Sequence, residues 1–131
     1  MPRSRTLLAL CAACAVMLSG CGEPEVFRTD RPILRVELDE YRIVPQNVSV
    51  KAGRMKFAAR NTGRLTHNLV IQLVPDRFGA RPFEIGRTQT MQSQQTGEPI
   101  KLELTPGTYR LVCTIANHKD LGQYGELKVR R

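Results

Sequence analysis

At 131 residues the chain has room for one domain plus appendages. Tryptophan is absent and aromatics make up 5% of the residues, so a core must be built from Val, Ile and Leu. The formal charge of +8 favours acidic partners or an anionic surface. The positive charges are scattered singly, with no basic run of five and no interleaving of aromatics with Arg, which argues against a nucleic-acid interface.

Arg3 and Arg5 precede an apolar run from Leu7 to Leu18, too short for the roughly 20 residues a bilayer span needs. Residues 1–20 therefore read as an export signal outside the fold. The run ends in Leu18-Ser19-Gly20-Cys21, which resembles the bacterial lipobox. That resemblance implies lipidation at Cys21, and so an extracytoplasmic domain anchored to a membrane. Cys11 and Cys14 fall inside the signal, which leaves Cys113 as the single cysteine of the body and argues against a disulfide framework. Residues 21–32 carry charges and two prolines without an apolar period and read as a lipidated N-terminus and tether.

From Ile33 the pattern has period two. Leu34, Val36 and Leu38 alternate with Arg35 and Glu37, and Val48 and Val50 flank Ser49. Ala52-Gly53 turns the chain into Met55, Phe57 and Ala59, and Asn61-Thr62-Gly63 turns it again. His67, Leu69, Ile71 and Leu73 then share a face, followed later by Ile100, Leu102 and Leu104. After Pro106-Gly107 come Tyr109, Leu111 and Cys113, and finally Leu127 and Val129. Short alternating strands between Gly, Pro and Asn turns predict an all-β Greek-key sandwich over residues 33–131. Residues 75–99 are a polar insert that holds a short strand or helix or forms a lid.

The chain has two histidines, His67 and His118, and both fall beside Cys113 in this scheme. His67 begins one predicted strand and Cys113 ends another, each on the inward row, so they meet if those ends share a pole of the sandwich. His118 returns from the loop that follows Cys113. A thiolate with imidazoles suits copper, zinc or iron, and two His with one Cys is the trigonal set of an electron-transfer copper site.

At these residues the chain resembles the cupredoxins, the small blue-copper proteins of the plastocyanin and azurin type. The upstream motif is Asn61-Thr-Gly-Arg-Leu-Thr-His67-Asn68, and the downstream motif is Pro106-Gly-Thr-Tyr-Arg-Leu-Val-Cys113 with His118 after four residues. The resemblance implies one copper ion held by His67, Cys113 and His118, cycling between Cu(II) and Cu(I). Many cupredoxins place Met at the axial position, where this chain has Gln123, as in stellacyanin. Met91 and water remain alternatives there. A Gln oxygen is harder than a Met sulfur and implies a lower potential than that of a Met-ligated relative. Asn68 resembles the residue that ties the two ligand segments together and supports the thiolate by hydrogen bonding.

The same resemblance makes His118, with Leu65, Ala116 and Leu121 around it, the port for electron exchange. Arg64 and Lys119 flank the port and suit a redox partner with an acidic face. The expected function is a membrane-tethered electron carrier. The competing readings are a copper store or chaperone serving an exported oxidase, and a metal-free binding module of the same fold. No enzyme is expected, because the chain carries no second copper set, no paired carboxylates and no evident small-molecule site.

Overall fold

The computed structural model describes residues 22–131; the expected export signal and the lipidated Cys21 lie outside them. Ten strands are described: β1 (Phe27–Thr29), β2 (Ile33–Asp39), β3 (Arg42–Val44), β4 (Asn47–Lys51), β5 (Gly53–Asn61), β6 (Val70–Val74), β7 (Phe83–Arg87), β8 (Ile100–Leu104), β9 (Gly107–Val112) and β10 (Tyr124–Arg130). They form a six-stranded sheet in the order β1-β4-β10-β9-β6-β7 and a four-stranded sheet in the order β3-β2-β5-β8. Both sheets are mixed: β2 runs parallel to β5, and β10 parallel to β4.

The alternation read from the sequence sorts the side chains between core and solvent. Leu34, Val36 and Leu38 of β2 are buried while Arg35 and Glu37 are exposed. Met55, Phe57 and Ala59 of β5 face the same core, as do Tyr109 and Leu111 of β9 and Leu127 and Val129 of β10. Phe57 is fully buried at the centre, and truncating such a side chain to Ala costs about 3–5 kcal/mol.

Three expectations need correction. The fold begins before Ile33: within the expected tether, β1 pairs with β4 in parallel from Phe27↔Val48 to Thr29↔Val50. Arg130 pins this edge, donating to the Thr29 carbonyl and pairing with Asp30. Three residues at a sheet edge, all at least partly exposed, leave no buried alternation to read. Second, His67 does not begin a strand. β6 starts at Val70, and His67 instead forms an isolated bridge with Met91. Third, Leu73, though packed against the core from the inward row, is only partly buried.

The insert over residues 75–99 is neither a helix nor a detached lid. It supplies β7, which pairs with β6, and then runs alongside the chain that leads into β6. The Leu69 and Thr88 backbones and hydroxyl interlock through Leu69 N–H to Thr88 Oγ1 (3.0 Å) and Thr88 N–H to the Leu69 carbonyl (2.9 Å). His67 and Met91 exchange backbone hydrogen bonds of 3.1 and 2.8 Å. Asn61 N–H reaches the Gln95 carbonyl at 2.9 Å, and Ser93 Oγ donates to the Gly63 carbonyl at 2.7 Å. The hydroxyls of Thr88 and Ser93 thus satisfy buried or part-buried backbone groups at Leu69 and Gly63.

Candidate metal centre

Three segments converge at one pole of the sandwich. The first is the His67 segment, clamped by the insert as described. Asn61, fully buried at the end of β5, braces it by donating to the Leu65 carbonyl at 2.7 Å and the Met91 carbonyl at 3.0 Å. The second is the loop from Cys113 to Gln123 between β9 and β10. Its ends are paired, Cys113 N–H to the Gln123 carbonyl at 3.0 Å, and Gln123 N–H returns to the His118 carbonyl at 3.0 Å. Gly122 takes φ +111°, where a side chain would be strained, and so lets the loop close. The third is the turn between β2 and β3, residues Asp39 to Arg42.

His67, Cys113 and His118 come together as expected. They are buried, exposed by 0%, 0% and 7% respectively, and one donor atom from each lies within 4.8 Å of the others. Cys113 Sγ is 3.9 Å from His67 Nδ1 and 3.7 Å from His118 Nδ1. Donors placed about 2.0–2.3 Å from a common centre in a trigonal plane lie about 3.5–4 Å apart, so these separations fit one first-row transition-metal ion. Burial holds His67 below the ordinary imidazole pKa, and Glu40 opposes that shift, so the ring stays neutral as a ligand must.

Gln123 is fully buried beside this cluster. Its Nε2 donates to the Asp39 carbonyl at 2.5 Å and to the Arg42 carbonyl at 3.3 Å. Both donors of the amide are thereby engaged, while Oε1 is buried without a partner. An amide oxygen left as an unpaired acceptor beside a thiol and two imidazoles is what an additional ligand would look like before metal binds. Met91 is also fully buried, but its sulfur packs toward Gly97, where a Cβ would lie 2.9 Å from Sδ.

Asn68 links the two ligand-bearing segments. Its Oδ1 accepts the Thr114 N–H at 2.8 Å and its Nδ2 donates to Thr114 Oγ1 at 3.0 Å. These bonds go to the residue after Cys113 and fix the backbone there. In the His118 loop Ala116, Lys119 and Leu121 are exposed, Leu121 by 49%, and in the His67 segment Arg64 and Leu65 are exposed, Leu65 by 42%.

The contribution of the β2–β3 turn was not visible in the sequence. Glu40 Oε1 accepts the Arg64 and Leu65 N–H groups and lies 3.6 Å from His67 Nε2. Its carboxyl is held below the ordinary range, first by the Leu65 N–H and further by Arg64 and His67. Tyr41, at φ +59°, sets its ring edge-on to His118 with centroids 5.4 Å apart. Asp39-Glu-Tyr-Arg42 reads simply as a polar turn, and nothing in it marks contacts to residues 24 to 84 positions away.

Solved structures place this architecture. The fold is that of the blue-copper cupredoxins. Reduced auracyanin from Roseiflexus castenholzii aligns at TM-score 0.68 and 19% identity, covering 79% of this chain and 100% of that one. Auracyanin A, a blue copper protein from Chloroflexus aurantiacus, aligns at TM-score 0.60 and 16% identity, covering 75% and 99%. Rusticyanin from Thiobacillus ferrooxidans aligns at TM-score 0.60 and 16% identity, covering 80% and 82%. No family model and no curated protein matches the chain.

Proposed function

We propose that this protein is an electron carrier with one copper ion in a type 1 site, working outside the cytoplasm from a membrane tether. The observation that carries the reading is the buried cluster of Cys113 Sγ with two imidazole Nδ1 atoms, 3.7 and 3.9 Å away, in a cupredoxin fold. Cys113 as thiolate, His67 and His118 through Nδ1, and the unpartnered Oε1 of Gln123 would hold the ion. Copper supplies a one-electron Cu(II)/Cu(I) couple. The chain's own part is to hold the donors still. The paired loop ends, the Asn68–Thr114 bonds and the insert's clamp on His67 all resist movement, so oxidation and reduction need little rearrangement.

Burial of all four candidate ligands favours retention over ready release, which supports a carrier over a copper store or chaperone. Exposed Leu65 and Leu121 beside His118, with Arg64 and Lys119 around them, suit docking to a redox protein with an acidic face. The lipobox-like Leu18-Ser-Gly-Cys21 supports the tether. The test is repeated redox cycling of the copper-loaded protein in the presence of a competing chelator. A carrier keeps stoichiometric copper in both states. Loss of the ion on each reduction would contradict the carrier and favour copper delivery.

A further inference from the structure

We propose that Glu40 is a positioning residue for His67: its carboxylate receives the imidazole Nε2–H, which fixes the tautomer that turns a lone pair of Nδ1 toward Cys113. Its effect on the metal couple rests on the copper reading above; its effect on the tautomer does not.

The His67 ring is fully buried, and its Nε2 has no hydrogen-bond partner, although Glu40 Oε1 lies 3.6 Å away. That distance exceeds a hydrogen bond, and closing it takes a movement of about half an ångström. The oxygen is aimed by the backbone it faces, accepting the Arg64 N–H at 2.5 Å and the Leu65 N–H at 3.0 Å. These two residues lie just ahead of His67 in the same segment, so carboxylate and ring are referenced to one stretch of chain. Gly63 leaves the opening: a Cβ there would fall onto Glu40 Oε1 and stand 3.2 Å from His67 Nε2.

A neutral imidazole carries one N–H, and the group that accepts it decides which nitrogen is left to bind metal. On the opposite side of the ring Nδ1 faces the Cys113 sulfur at 3.9 Å. The carboxylate therefore selects the tautomer that the site needs. Its negative charge beside a ligand also favours the oxidised, more positive ion over the reduced one.

The test uses the full chain in detergent with 15N-labelled histidine. In the metal-free protein, long-range proton–nitrogen spectra read the His67 tautomer. The expected result is Nε2–H in the native chain and in Glu40→Gln, which keeps an acceptor oxygen, and a mixture in Glu40→Ala. In the copper-loaded protein, Glu40→Gln keeps the visible band but shifts the Cu(II):Cu(I) ratio at a fixed applied potential about tenfold toward Cu(I), or about 59 mV for one electron. Glu103→Gln, on the exposed face of β8, shifts it less than twofold. An Nδ1–H tautomer in the native chain, or Nε2–H kept unmixed in Glu40→Ala, overturns the proposal, and a Glu40→Gln ratio within twofold of native overturns its effect on the couple. Should the native chain show no copper band, the copper reading fails by itself, and the metal-free tautomer alone decides the role of Glu40.

Discussion

Replacing Gln123 with Met separates the two tasks assigned to that side chain. The amide is fully buried, and its Nε2 holds the Asp39 and Arg42 carbonyls at 2.5 and 3.3 Å. Met has similar bulk but no donor, so Gln123→Met leaves one well-made and one marginal hydrogen bond without a partner. Asp39 is part-exposed and Arg42 exposed, so water recovers some of that loss. The net cost is about 1–2 kcal/mol. For a body of this size that lowers the melting temperature by about 4–8 °C. The melting should be followed by circular dichroism on metal-free protein, so that metal affinity does not enter. On copper loading, a soft thioether in place of the amide oxygen raises the reduction potential, read by spectroelectrochemical titration. A melting temperature unchanged within about 1 °C would refute the bracing role of the amide. A potential that stays the same or falls would refute the placement of Oε1 at the metal.

Four further outcomes follow from particular contacts. Asn68→Ala removes the bonds to Thr114 and costs about 1–3 kcal/mol in denaturant unfolding; a smaller loss would mean that the two ligand segments hold together without it. Gly125→Ala puts a Cβ onto the Gln46 backbone carbonyl at the start of β10, and overpacking of this kind costs about 1–3 kcal/mol by the same assay. Gly63→Ala crowds Glu40 off His67 and should raise the potential in the direction of Glu40→Gln, by redox titration. Asp30 has its carboxyl held below the ordinary 3.8, first by its hydrogen bond to Arg130 and then by that residue's charge. Because the folded value is the lower one, the stabilisation is present above the unfolded value and is lost as pH falls through the folded one. Asp30→Asn should therefore lose less stability than the native chain as pH falls below the ordinary 3.8, measured by unfolding at several pH values.

The sandwich was legible wherever one face of a strand is buried and the other wet. Leu34, Val36 and Leu38 alternate cleanly because β2 lies between a core and solvent, and the same holds for Met55, Phe57 and Ala59. The meeting of His67, Cys113 and His118 was legible because His and Cys are so scarce in the body of this chain that their spacing carries information. What stayed hidden is held by hydrogen bonds rather than by apolar period. The insert looks like a loop because Thr88, Ser93 and Gln95 bond to backbone, and such bonds leave no alternation to read. β1 looks like tether because three residues on a sheet edge bury little. Glu40 and Tyr41 reach His67 and His118 only through the folding of β2 against β5, which brings distant residues to one pole.

The central claim is that Cys113 binds copper as thiolate between two imidazoles. The most direct measurement is the visible absorption spectrum of the Cu(II)-loaded chain beside that of Cys113→Ser. An intense thiolate-to-copper band at one ion per chain, bleached by ascorbate, restored by ferricyanide and absent in Cys113→Ser, is the result expected. Copper bound without that band, or a band that survives in Cys113→Ser, would contradict the account.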